Sequence, residues 1–218
     1  MLKKPTPVTA TTAVTADRGS MVFSDDFTDS GSGWTRESVA DFSATFTKSG
    51  YVIVARGFVD HEIASPYSVP KQQLSVSMTA TESTDSPSES GFGAGCDRGL
   101  SESTVSYDFV VMIDGTWEIR RHDTRPGAAS ASSLLKKGTS PKAPGAASIT
   151  VELMCATLSD GVTTRLLTFV SGTDVADITD RVDDLPRLGW LGAFVVRGEG
   201  TRPTTVTATY FELRDLTG

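Results

Sequence analysis

Helical periodicity is hard to find anywhere in this 218-residue chain, which argues against a helical bundle or an alternating α/β architecture. No stretch approaches the roughly 18 apolar residues that a membrane-spanning helix needs. No basic run is longer than two residues, and 20 Lys and Arg stand against 27 Asp and Glu, for a net charge of −7. Such a chain matches a phosphate backbone poorly, so nucleic acid and anionic membrane surfaces are unfavourable partners. There is no Cys-x-x-Cys, and the two histidines, His61 and His122, lack metal-ligand spacing. No Gly-x-Ser-x-Gly elbow occurs. Gly91-x-Gly93-x-Gly95 is not a phosphate loop, because it lies in strand-like sequence and marks a bulge or a close sheet contact. Met1-Leu2-Lys3-Lys4-Pro5 carries two positive charges but no apolar run after them, so it does not read as a signal peptide.

What is present reads as β. Hydrophobic residues make up 38% and charged residues 22%, an ordinary balance for a chain that buries a core. Pro5–Thr15 holds only Pro, Thr, Ala and Val, and resembles a stalk or linker. The expected organisation is a flexible linker over 1–20 and one β domain over 21–218. Strand signals recur at Tyr51–Arg56, Leu74–Thr81, Val105–Ile113, Thr116–Arg121, Ser148–Ala156, Thr164–Val170, Gly192–Arg197 and Val206–Leu213. Gly, Ser, Pro and Asp clusters separate them, the pattern of a sandwich or barrel. Ser83–Glu89 and the long Gly/Ala/Ser/Pro-rich segment Thr124–Ala147 read as loops, with Leu134-Leu135 pinning the second to the domain.

The sharpest local signal is Asp114-Gly115 between two β-rich runs. It fits a two-residue type I′ hairpin, which would pair Ile113 with Thr116, Met112 with Trp117, Val110 with Ile119 and Asp108 with Arg121. Alternation then puts Met112, Trp117, Val110 and Ile119 on an apolar core face. Tyr107, Phe109 and Val111 would share the other face with Glu118, Arg120 and His122. That face is mixed aromatic and charged, as a ligand-facing sheet is. Tyr107, Arg120, His122 and Glu118 are therefore candidate binding residues, and Arg98 can join them. The alternative is that Tyr107 and Phe109 pack under the long loop with Arg120 covering them.

The two cysteines, Cys96 and Cys155, each lie in a strand-like run. If those runs face each other the thiols can form a disulfide; otherwise they are two buried thiols acting as small apolar residues.

Several segments resemble, in order, the concanavalin A-like jelly-roll domains of extracytoplasmic bacterial, typically actinobacterial, proteins. Phe23-Ser24-Asp25-Asp26-Phe27 with Gly33-Trp34 is similar to their opening. Gly95-Cys96-Asp97-Arg98 resembles their Gly-x-Cys-Arg strand end, with Asp97 inserted before the arginine. Tyr107–Phe109 through Asp114–Ile119 resembles the central hairpin. Leu153–Cys155 with Leu166–Gly172 resembles the second cysteine strand and its hairpin, with Ser171-Gly172 where Asn-Gly is usual. Gly189–Phe194 and Tyr210–Leu213 resemble the closing strands.

The resemblance implies an all-β fold of two antiparallel sheets in a jelly-roll sandwich. With the stalk-like tract it also implies a Cys96–Cys155 disulfide and an extracellular or cell-surface setting, a cytoplasmic one being the alternative. The expected role is non-catalytic recognition of carbohydrate, or of a cell-surface protein, on a concave sheet face. Jelly-roll glucanases carry a Glu-x-Asp-x-x-Glu strand that sets an acid and a nucleophile about 5–5.5 Å apart, and none is found here. A glycan-active hydrolase remains an alternative if two carboxylates face each other across the groove. A structural protein–protein domain is a second alternative. No cofactor is expected, with one exception: Asp25 and Asp26 at the domain start and Asp215 near its end can meet as a structural calcium site if the termini lie side by side.

Overall fold

The computed structural model describes residues 19–217 apart from 58–59, 70–71, 101–102, 146, 187–189 and 201. The expected linker over 1–20 lies almost wholly outside the described residues.

Among the described residues there are strands and no helix. In chain order the strands are β1 (Ser20–Asp25), β2 (Glu37–Ser38), β3 (Phe42–Thr47), β4 (Gly50–Ala55), β5 (Asp60–Val69), β6 (Gln73–Glu82), β7 (Gly91–Leu100), β8 (Ser103–Met112), β9 (Thr116–Asp123), β10 (Ser132–Thr139), β11 (Ile149–Thr157), β12 (Thr163–Val170), β13 (Thr173–Arg181), β14 (Trp190–Arg197) and β15 (Thr204–Asp215). They form two antiparallel sheets. One runs β13-β12-β11-β6-β15-β4-β3-β2, with β1 also on β15; the other runs β10-β9-β8-β7-β14-β5. This is the all-β jelly-roll sandwich that the sequence implies.

The core lies between the sheets and follows strand alternation. The six-stranded sheet contributes Phe92, Ala94 and Cys96 from β7, Tyr107, Phe109 and Val111 from β8, and Phe194 and Val196 from β14, all fully buried. The nine-stranded sheet answers with Leu74, Val76 and Met78 of β6, Leu153 and Cys155 of β11, and Phe211 and Leu213 of β15. Specific side-chain links also cross this interior. Cys96 and Cys155 form a disulfide between β7 and β11, with their Cα atoms 6.5 Å apart. Two residues further along each strand, on the same faces, Arg98 hydrogen-bonds Thr157. Tyr107 donates from its hydroxyl to Asp180 on β13 at 3.0 Å.

The two hairpins that the sequence marks fold differently. Ser171-Gly172 is a two-residue turn with both residues at positive φ, 48° and 79°, so Val170 pairs with Thr173. At Asp114-Gly115 only Gly115 is left-handed, at φ 85°. Its N–H donates to Met112 O at 2.9 Å, and Asp114 Oδ1 accepts from Thr116 N at 2.7 Å. The loop therefore holds three residues, Ile113-Asp114-Gly115, a form that also wants glycine at its left-handed position. Val111 pairs with Trp117, Phe109 with Ile119 and Asp108 with Arg120, one residue away from the expected register.

The segment expected as a long loop contains β10, which extends the six-stranded sheet along β9. Its Ser, Lys and Gly content hid it, as is common for edge strands, which carry charge rather than apolar alternation. Leu135 packs on the core, whereas Leu134 is exposed.

Two outcomes follow. Closing a loop of this length stabilises by constraining the unfolded chain, so the Cys96→Ala/Cys155→Ala double variant is expected to lose about 2–4 kcal/mol in urea unfolding; an unchanged midpoint would contradict this. Glu82 is buried at the end of β6, where burial pushes its pKa from 4.5 up to about 7 against the opposing hydrogen bonds of Ser90 and Ser86. An acid with a raised native pKa makes stability fall as pH rises between the two values. This group should cost up to ~3 kcal/mol across that window. The Glu82→Gln variant should therefore show a shallower loss than wild type between about pH 5 and about pH 8, and parallel profiles would contradict it.

Candidate functional site

The one-residue difference at the β8–β9 turn inverts the faces of β8. Tyr107, expected on the ligand face, is fully buried and held by Asp180. Asp108 takes the outer face in its place. Arg98 is likewise removed from the binding set: it is buried, lies 5.2 Å over the Trp190 ring and bonds Thr157 and Gln72. The reason is parity. Cys96 must face inward to reach β11, so Arg98, two residues on, faces inward too, and Asp97 faces out. Arg120, His122 and Glu118 do lie on the outer face of the six-stranded sheet, together on β9.

That face carries an open groove of about 1060 Å³. Its centre is an ion-pair network around Arg197 of β14. The Arg197 guanidinium binds Asp60 of β5 through two hydrogen bonds of 2.6 and 2.9 Å and donates to Glu118 at 2.8 Å. Arg120 Nε donates to the same Glu118 oxygen at 2.8 Å. Burial opposes the Arg197 charge, but Asp60 and Glu118 outweigh it and raise its pKa. Burial also opposes the Glu118 charge, yet the bonds from Arg120 and Arg197 hold its pKa below the ordinary carboxylate value. Lys137 and Ser132 of β10 complete one wall, and Glu89, Asp114 and Glu199 sit on the rim.

Beside the groove, the glycines of β7 pack closely against β8 and β14. A Cβ at Gly93 would come within 1.7 Å of Phe109 O, and one at Gly95 within 3.0 Å of Asp108 Oδ1. The close-contact reading of Gly91-x-Gly93-x-Gly95 is thus what the sheet requires. It leaves room for Asp108, whose side chain is 1% exposed and whose Oδ2 lies 3.0 Å from His122 Nε2. Burial raises the Asp108 pKa, the His122 contact offsetting part of this. The Asp108 contact in turn raises that of His122. Burial, then the Asp108 charge, pushes Asp97 up to about 7. Glu62 sits on edge strand β5 and is exposed as a residue, but its carboxyl reaches Ser106 Oγ at 3.4 Å. Its pKa is raised by burial of that carboxyl and by the Asp108 and Asp97 charges.

Asp108, Asp97, Asp60, Glu62 and Arg197 are thus site residues that no motif in the sequence marks. For Asp97 a signal existed in its parity with Cys96; for Asp60 and Arg197 none did, since they meet only through β5–β14 pairing.

The structure does not assemble the expected calcium triad. Asp25 pairs with Phe211 and Asp215 with Ser20, at opposite ends of the β1–β15 ladder, roughly 15 Å apart at strand rise. Asp25 accepts from Trp34 Nε1 at 2.9 Å and Phe27 N at 2.7 Å. Asp26 and Asp215 accept from Thr28 and Thr217. These carboxylates serve local turns and the indole of the opening motif.

The Arg197 network predicts its own sensitivity. Arg197→Met leaves Asp60 and Glu118 facing each other with little water, and should cost about 3 kcal/mol in urea unfolding. Arg197→Lys keeps the charge but not the two-pronged geometry and should recover only part of that loss. A fully wild-type Lys variant would contradict the arrangement.

Comparison with known proteins gives the fold and no more. No family of known proteins matches the sequence, and no curated protein does. Among solved structures, an endo-1,3-beta-glucanase from Streptomyces sioyaensis superposes with a TM-score of 0.61 at 13% identity, covering 97% of this chain and 98% of that one. The carbohydrate recognition domain of Emp46p, in its metal-free form, gives 0.58 at 9% identity over 87% of this chain and 94% of its own. A Bacillus licheniformis beta-glucanase gives 0.55 at 8% identity over 88% and 97%. The chain therefore shares the two-sheet jelly-roll sandwich fold of these proteins.

Proposed function

We propose that this domain is a non-catalytic module that binds a neutral, hydroxyl-rich oligosaccharide in the groove of its six-stranded sheet. The observation that carries this reading is the set of fixed polar groups in that groove: Arg120, Glu118, Arg197 and Asp60 are locked by one another, so they meet a ligand already ordered. Five carboxylates and three Lys or Arg side chains line the groove among the described residues, a balance that disfavours an acidic saccharide. A groove also fits this reading better than the flat face expected of a purely structural domain. The glucanase and lectin-domain likenesses support the ligand class. The disulfide supports an oxidising compartment, and we place the domain outside the cytosol, as the extracytoplasmic resemblance implies.

Hydrolysis is the less favoured reading for a chemical reason. A retaining pair needs one carboxyl poised to give a proton and another free to attack. Asp60 and Glu118, the two carboxylates that face each other across Arg197, are both committed to that guanidinium.

The test is titration of β-1,3-glucan and mixed-linkage glucan oligosaccharides against the intact protein by calorimetry, with a uronate oligosaccharide alongside and product analysis of each mixture. Saturable binding of a neutral glucan without cleavage, weakened about tenfold or more by Arg120→Ala, is the expected result. Product release would establish the hydrolase reading instead. Failure of every neutral oligosaccharide to bind would contradict the proposal.

A further inference from the structure

Asp60, Asp108 and His122 converge beneath one end of the groove. One ligand-type atom from each lies within 4.8 Å of the others. They come from three strands, β5, β8 and β9, so sheet pairing and not local sequence brings them together. A cluster of acids alone would say little. The second observation is Asp108 itself: its side chain is 1% exposed, neither of its oxygens makes a well-formed hydrogen bond, and what faces them is the His122 ring and the Glu62 carboxyl. His122 Nε2 lies 3.0 Å from Asp108 Oδ2 and has no other partner of hydrogen-bond geometry among the described residues. An imidazole nitrogen and a carboxylate oxygen held this close require a proton or a cation between them. Two ligand atoms at about 2.1 Å from one ion and at right angles to it are about 3.0 Å apart. The Glu62 and Asp97 carboxyls adjoin the same spot, so carboxyl groups there outnumber their cationic partners Arg197 and His122.

We propose that Asp60, Asp108 and His122 form a binding site for a divalent transition-metal cation, with Asp108 and His122 as adjacent ligands. The mixed nitrogen and oxygen donor set suits zinc or manganese; calcium takes oxygen ligands and would not use the imidazole. Arg197 orients Asp60 through two hydrogen bonds, as outer groups do for metal-ligating carboxylates. Asp60 and His122 also line the groove, so open coordination positions of the ion face its solvent. The site is argued from the cluster alone and holds whether or not the groove takes a glycan.

Two measurements on tag-free protein test it, both without any saccharide. Calorimetric titration with Zn²⁺ near neutral pH should show one saturable site, weakened about tenfold or more in Asp108→Asn. His122→Gln provides the same test should Asp108→Asn fail to fold. Zn²⁺ added to wild-type protein should shift the ring resonances of His122 far more than those of His61, the one other histidine. Absence of saturable binding up to about 1 mM Zn²⁺ and Mn²⁺, binding unchanged in the folded variants, or binding of Ca²⁺ alone would each overturn the proposal. Because no sugar is present, failure here leaves the carbohydrate reading standing, and failure of the sugar titration leaves this one standing.

Discussion

The three-residue turn Ile113-Asp114-Gly115 is the constraint on which the functional face depends. Strand side chains alternate, so a slip of one residue moves every side chain of a strand to the other face. With only Gly115 left-handed, Phe109 pairs with Ile119 and both enter the core, while Asp108 pairs with Arg120 on the outside. A two-residue turn would have done the reverse, burying Asp108 between the sheets and putting Tyr107 and Phe109 on the groove. The cost of the wrong register is concrete: it would carry Asp108 away from His122 into the apolar interior between the sheets, which amounts to several kcal/mol.

A second, independent anchor agrees with that register. The Cys96–Cys155 bond can form only if Cys96 faces the nine-stranded sheet. This fixes the inward set of β7 as Phe92, Ala94, Cys96 and Arg98, and the outward set as its glycines and Asp97. Since β7 pairs with β8, with Gly95 opposite Asp108 and Cys96 opposite Tyr107, the disulfide and the turn enforce the same assignment. The glycines then let β7 pack closely against its neighbours, and the arginines fill the centre of the groove with fixed charge. Function on this fold is thus a matter of which residues alternation leaves outside, not of the sandwich itself, which many unrelated activities share.

The all-β sandwich is legible because strand periodicity and turn residues are local signals, whereas the cysteine pairing is implied only by the family resemblance and the stalk-like tract. The site was legible only on β9, where Glu118, Arg120 and His122 stand two apart. Asp-Gly is compatible with both two- and three-residue hairpins, so the dipeptide alone cannot decide the register, and Tyr107 was placed with the ligand residues for that reason. The charge of Arg98 suggests an exposed contact, but its parity with Cys96 places it inside. Asp60 and Arg197 are 137 residues apart and meet through sheet pairing that no local pattern encodes. β10 escaped notice because an edge strand rich in Ser and Lys looks like a loop.

The measurement that bears most directly on this account is the cross-strand proton contact pattern of β8 and β9 by nuclear Overhauser spectroscopy. The account predicts backbone contacts between Phe109 and Ile119 and between Asp108 and Arg120. Contacts between Val110 and Ile119 and between Asp108 and Arg121 would restore the two-residue turn, return Tyr107 to the groove and remove the basis of the site described.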